Sequence, residues 1–179
     1  MSSIVVSNTN DDGAGSLRQA IADANSNGTT LDNIIFDNTV FNTARTITLT
    51  TGELFITSNL TINGTGANLL IVSGNNNSRV FEISGGIAVT LSGMTITGGN
   101  GVGSFSTSGI GGGIRNASNL TISDSVISGN TVSGNGGGIS SGFGTFSLIR
   151  STVSNNTAAF GGGGLSLRSC LETQNNRII

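Results

Sequence analysis

GGGIRNASNLTISDSVISGNTVSG (residues 111–134), GGGISSGFGTFSLIRSTVSNNTAAFG (136–161) and the start of a third copy, GGGLSL (162–167), say nearly the same thing in succession. Gly111, Gly136 and Gly162 open the three copies, and Ile122 with Leu148, Ile127 with Val153, and Asn130 with Asn156 recur at one shared spacing. A fixed period in the twenties marks a solenoid, in which each repeat stacks on the last and none buries its apolar face alone.

Each repeat holds three short runs in which apolar and small polar residues alternate. In one they are Gly113-Ile114-Arg115, Leu120-Thr121-Ile122 and Ser125-Val126-Ile127-Ser128; in the next Gly138-Ile139-Ser140, Phe146-Ser147-Leu148 and Ser151-Thr152-Val153-Ser154. Alternation with period two is a strand signal, and the Gly, Asn and Ser between the runs make turns. Three sides and three corners in one repeat predict a three-sided parallel β-helix. The Leu-x-x-Leu-x-Leu pattern of a leucine-rich repeat is absent.

The ladder extends backwards. Val72-Ser73-Gly74-Asn75, Ile127-Ser128-Gly129-Asn130 and Val153-Ser154-Asn155-Asn156 superpose, with Ile96-Thr97-Gly98-Gly99 as a variant, and Ser58-Asn59-Leu60-Thr61-Ile62 recurs letter for letter at 118–122. The long step from Ile96 to Ile127 is explained by an inserted Gly/Ser-rich loop, residues 100–109. The expected architecture is all-β: a right-handed, single-stranded parallel β-helix of about four to five coils with a short capping α-helix. The expected divisions are an N-terminal cap over residues 1–50 with an irregular first rung, coils over 51–167, and an out-of-pattern tail over 168–179.

Composition agrees. There are 29 Gly and no Pro, Lys, His, Trp or Tyr, and charged residues are 9% of the chain. Asn, Ser and Thr carry the polar load, as suits a stack in which like charges one rung apart repel while amides and hydroxyls bond to copies of themselves. A net charge of −2 with seven scattered Arg gives no basic patch, so nucleic acid is not an expected partner. No apolar run is long enough to span a membrane, and MSSIVVSN lacks the basic and apolar regions of a secretory signal. The single cysteine, Cys170, has no internal disulfide partner.

One segment reads as a helix. Ser16 and Gln19 make a capping box, Leu17, Ala20, Ile21 and Ala24 form one apolar stripe, and the pattern stops after Asn25. So short a helix is marginal alone, so it is expected to lie on the open first rung and block edge-to-edge pairing there.

Asp12-Gly13-Ala14-Gly15-Ser16-Leu17-Arg18-Gln19-Ala20-Ile21, followed by Asn33-Ile34-Ile35-Phe36-Asp37, resembles the CSLREA-type N-terminal module of bacterial right-handed parallel β-helix proteins, without the initial Cys and with Gln in place of Glu. The Gly-Gly-Gly-Ile/Leu segments and the Ile127-x-x-Asn130 and Val153-x-x-Asn156 pairs are similar to the repeats of polymorphic outer membrane proteins, with an aliphatic residue where those carry Phe. The resemblance covers roughly residues 1–167. It implies a pectin-lyase-like fold and a surface or secreted setting, with cell-surface glycans or other surface proteins as partners. Such proteins carry many more rungs and a C-terminal anchor or secretion signal, which makes this chain look like a shortened one, open to end-to-end self-association at its uncapped last rung.

Chemistry is sparse. Glu53, Glu82 and Asp124 are the acids in or beside the regular rungs, and they are expected on different sides of the coil, with no pair set for acid/base work. Asp124 falls beside Arg150 one rung on, an expected exposed ion pair of little energetic weight; Glu82 with Arg115 is a second candidate. Asn75, Asn130 and Asn156 read as a structural corner ladder in left-handed turn geometry. No cofactor or metal set is expected. The functional expectation is a non-catalytic structural or adhesive segment of an exported or surface bacterial protein. A polysaccharide-binding or -cleaving protein of the pectate-lyase type is the alternative, and an ice-binding solenoid, from the column Thr61, Thr90, Thr121 and Ser147, a minor one.

Overall fold

A computed structural model describes residues 3–28, 30–103, 109–168 and 171–178, with side chains described outside 171–174. Cys170 and residues 104–108 of the inserted loop therefore lie outside the described residues. The chain opens with β1 (Ser3–Val6) and α1 (Leu17–Ser26) and then runs in turns of three strands. The first turn is β2 (Asp32–Phe36), β3 (Arg45–Thr48) and β4 (Leu54–Ile56); the second β5 (Leu60–Asn63), β6 (Leu70–Ser73) and β7 (Phe81–Ile83). The third is β8 (Ala88–Ser92), β9 (Thr95–Thr97) and β10 (Ile114–Asn116). The fourth comprises β11 (Asn119–Ser123), β12 (Val126–Ser128), a short β13 (Thr131–Val132) and β14 (Ile139–Ser141). The fifth repeats this as β15 (Phe146–Ile149), β16 (Thr152–Ser154), β17 (Thr157–Ala158) and β18 (Leu165–Leu167), and β19 (Leu171–Gln174) and β20 (Arg177–Ile178) open another turn.

Every pairing is parallel between successive turns. The first sheet runs β1-β2-β5-β8-β11-β15-β19, the second β3-β6-β9-β12-β16-β20 and the third β4-β7-β10-β14-β18. The register is that of the repeat: Ile127 stands on Val153 and under Ile96, and Ile122 on Leu148 and under Leu91. The protein is thus a three-sided parallel β-solenoid with one short helix.

Alternation fixes what lies inside. Ile34-Ile62-Leu91-Ile122-Leu148, Ile47-Val72-Ile96-Ile127-Val153 and Leu54-Phe81-Ile114-Ile139 each form one vertical column, and every member is at most 1% exposed. Burying each such side chain is worth roughly 1.5–3 kcal/mol. The neighbours along each strand face outward, and most are small and polar.

Two of the expected divisions shift. The first rung is regular: β2 and β3 sit in the same columns as the strands below them. The tail continues the solenoid, with Phe146 paired to Leu171 and Thr152 to Arg177. Its pattern is hard to see in sequence because Glu172 stands where earlier rungs carry Thr or Ser, and no Gly triplet introduces it.

The helix replaces a strand. β4 is the first strand of the third sheet, and α1 lies where a preceding one would be. Leu17, Ala20, Ile21 and Ala24 are buried, and the Ser16 hydroxyl accepts from Gln19 N. The capping box is only half made, because the Gln19 amide donates to Asp23 on the next turn of the helix. Arg18 donates to the carbonyls of Gly52 (2.6 Å) and Glu53 (2.8 Å). Asn25 donates to Phe55 O (2.8 Å) and accepts from Thr57 N (2.9 Å), as a paired strand would. These bonds cover the outermost edge of the sheet. Asn25→Ala is expected to destabilise the protein by about 0.5–1.5 kcal/mol, the net worth of hydrogen bonds at a partly exposed edge, measurable by urea titration followed by circular dichroism. An unchanged midpoint would mean that the helix caps by apolar contact alone.

Candidate functional site

The outer face of the third sheet is the part of the described surface with charge, an aromatic ring and concavity together. Register places Phe55, Glu82, Arg115, Ser140 and Ser166 in one column on it. The column divides into a covered upper part and an open lower part.

The cover comes from the inserted loop. Arg79 ends the turn before β7 and is fully buried. Its backbone N donates to Val102 O (2.7 Å); Nε reaches Gly111 O (3.1 Å) and Ile110 O (3.3 Å), and Nη2 reaches Ile110 O (3.0 Å) and Gly101 O (3.1 Å). Nη1 bonds Glu53 Oε2 (2.5 Å) and Glu82 Oε2 (2.6 Å), while the other oxygen of Glu82 takes Arg115 Nη1. Every nitrogen of the guanidinium is thus directed at oxygens, which is how a buried Arg avoids the desolvation penalty. Glu53 and Glu82 are 4% and 2% exposed. The expectation that these acids lie on different sides of the coil is therefore corrected: they come from adjacent rungs and meet on one guanidinium nitrogen. Gly103 closes the cover, since a Cβ there would fall on Arg79 Nη1 and the Glu53 carboxylate.

Beside the cover a groove of about 560 Å³ opens, lined by Ile110, Asn135, Phe143, Arg115, Ser140 and Arg168 among others. Phe143 is 72% exposed. Among the described residues no carboxylate lines this groove, although the chain as a whole is acidic, with net charge −2. Two guanidinium groups, amides, hydroxyls and an open ring are equipped to hold an anionic, partly apolar ligand.

The other expected residues fall elsewhere. Asp124 and Arg150 form an exposed bidentate pair, Oδ1 to Nε at 2.7 Å and Oδ2 to Nη2 at 2.6 Å, and the Arg150 guanidinium holds Asp124 below the usual carboxylate range. Both occupy left-handed corner positions, φ 51° and 46°, in a column that includes Gly93. Asn130 and Asn156 do form a ladder: Asn130 Nδ2 donates to Asn156 Oδ1 (2.9 Å), and each amide bonds a carbonyl of the rung before. Asn75 is corrected out of it. That residue is exposed, and the column position between Asn75 and Asn130 is Gly99, whose N donates to Asn130 Oδ1 (2.8 Å). In the rungs around the ladder the left-handed geometry belongs one residue earlier than expected, to Gly98, Gly129 and Asn155 (φ 61°, 66° and 55°). A second ladder escaped the sequence reading: Ser125 Oγ accepts from Met94 N, Ser151 Oγ from Ser125 N, and Asn176 Oδ1 from Ser151 N. Its signal is the Ser that opens the second-side run in the two clearest repeats, Ser125 and Ser151. Thr61, Thr90 and Thr121 stand in register with Ser147 on the first sheet, one per rung.

At the cap, Asp11 receives Arg18 (2.7 Å) and the backbone and hydroxyl groups of Thr50 and Thr51. Burial alone would raise its pKa, but the Arg18 bond and the threonine donors outweigh it and hold the carboxyl far below its usual value. A depressed folded value stabilises the protein fully above the unfolded value of about 4, and that stability is lost as pH falls below it. Wild type is expected to lose more stability than Asp11→Asn between pH of about 5 and about 2.5, read as denaturant midpoints; parallel losses would show that this carboxylate does not hold the cap.

No protein-family model matches the chain, and no curated protein matches it. Among the described residues no helix is long and apolar enough to cross a membrane, and no cluster of three or more acidic, Cys or His side chains is placed to hold a metal ion.

Proposed function

We propose that the chain is a non-catalytic, adhesive segment of an exported or surface bacterial solenoid, and that it adheres through acidic polysaccharide laid in the groove of the third sheet. The observation that carries this is the charge of the groove: Arg115 and Arg168 line it and no described acid does, on a protein of net charge −2. The surface setting rests on the resemblance of the Gly-Ser-Leu-Arg-Gln-Ala segment and the Gly triplets to bacterial surface β-helix proteins.

Cleavage is the second reading, favoured by the meeting of Glu53 and Glu82. Both carboxylates are enclosed and bonded to Arg79, so neither is poised to give or take a proton from a substrate. The threonine column keeps ice binding as a minor reading, checked by thermal hysteresis.

Retention on polygalacturonate or alginate columns, compared with a neutral polysaccharide, tests the proposal. Salt-sensitive retention on the acidic polymers is expected, weakened about tenfold by Arg168→Gln, the worth of one charge-assisted hydrogen bond. Equal or absent retention on both polymers would refute adhesion through this face. Release of unsaturated oligosaccharides would replace adhesion with cleavage.

A further inference from the structure

The groove owes part of its positive charge to what covers its upper end. On the bare sheet the column under the ligand would read Glu82 above Arg115, with Glu53 beside them, and the two acids would come into view with a single cation, Arg79, so that the face would lose one of its two positive charges. We propose that residues 99–103 and 109–111 act as a strap that hides Glu53 and Glu82 against Arg79, and that this strap is the specificity determinant making the face accept anions. The proposal rests on the reading of the groove as an acidic-polysaccharide site.

Four observations carry it. Arg79 is spent from both sides, on the two carboxylates and on strap carbonyls at Gly101, Ile110 and Gly111, so strap and acids share one anchor. Gly103 is pressed so close to that anchor that a Cβ there would have to displace Arg79 Nη1 and the Glu53 carboxylate. Ile110, at the returning end of the strap, is itself a wall of the groove. Lastly, Arg115 bonds the one Glu82 oxygen that faces it while the acid stays 2% exposed, so the charge reaching the groove is that of the arginine. Lifting a strap held by one buried cation would bring two carboxylates beside the groove and make the face less positive without moving a strand.

The test is carboxyl labelling with a carbodiimide and glycine ethyl ester, read residue by residue by mass spectrometry, alongside retention on polygalacturonate. In wild type, Glu53 and Glu82 are expected to label at least about tenfold more slowly than the exposed Asp124, as protection by local structure requires. Gly103→Ala is expected to bring the two rates close to that of Asp124 and to lower retention about fivefold, with the β-sheet circular dichroism unchanged. Should Gly103→Ala fail to fold, excision of residues 102–108 serves instead, because Gly109 N already donates to Gly101 O (3.0 Å) and the cut ends meet there. Fast labelling of Glu53 and Glu82 in wild type would overturn the proposal, as would a variant whose acids label freely while retention holds. If wild type is not retained at all, the groove reading fails, and the labelling contrast still decides whether the strap hides the acids.

Discussion

Arg79→Met is expected to cost about 3–5 kcal/mol, among the largest effects of any single substitution, because it leaves two buried carboxylates without their cation. Met fills a similar volume, so the loss reports charge and hydrogen bonding rather than a cavity. Glu53 and Glu82 would then face each other in a site that is at most 4% exposed, and the strap carbonyls at Ile110 and Gly111 would lose their donor. The strap should become the first site of proteolytic cleavage. Adding Glu53→Gln and Glu82→Gln to Arg79→Met is expected to recover much of the loss, since neutral amides can share hydrogen bonds where two anions repel. Urea denaturation of the single and triple variants checks this; a triple variant no better than the single one would show that Arg79 acts through packing.

Asn130→Ala is the second large effect, about 2–4 kcal/mol, from several buried hydrogen bonds lost together. This amide accepts from Gly99 N and donates to Ile96 O, Ser128 O and Asn156 Oδ1, and the residue is fully buried. Truncation orphans groups in three successive rungs, each at a penalty of about 1–3 kcal/mol when buried. Asn75→Gly is the matched control. Asn75 is exposed with φ 54°, a conformation glycine adopts freely, so its replacement should stay within about 0.5 kcal/mol of wild type. Equal losses at the two positions would contradict the account of the ladder.

The difference between those two asparagines marks how far sequence reading goes. Period, register and the inward columns were legible because stacking copies them: Ile127 and Val153 occupy the same place in consecutive repeats and meet in the structure. The helix was legible from its apolar stripe and Ser16. The edge bonds of Arg18 and Asn25 were not, because they reach far along the chain to a strand with no local mark. The Asn column expected from sequence reaches two rungs too far, since Gly99 interrupts it and only the folded chain shows that Asn75 faces solvent.

The candidate site was the least visible part. Arg79 sits in a polar turn outside any alternating run, and its partners lie on the rung before it, at Glu53, and in an insertion after it. That insertion breaks the period between Glu82 and Arg115, so the repeat could not align the acids with the groove. Glu82 and Arg115 were nonetheless a candidate pair, because column neighbours on one face can be guessed when both carry charge.

The column on the third sheet offers the most direct check of the whole arrangement. Glu82, Arg115 and Ser140 are remote from one another in sequence and direct neighbours in adjacent parallel strands. Interstrand nuclear Overhauser effects between the α and amide protons of these three strands, in an isotope-labelled sample, measure that adjacency. The account predicts the in-register parallel pattern linking β7 to β10 and β10 to β14; an antiparallel pattern, or no cross-peaks between these strands, would contradict it.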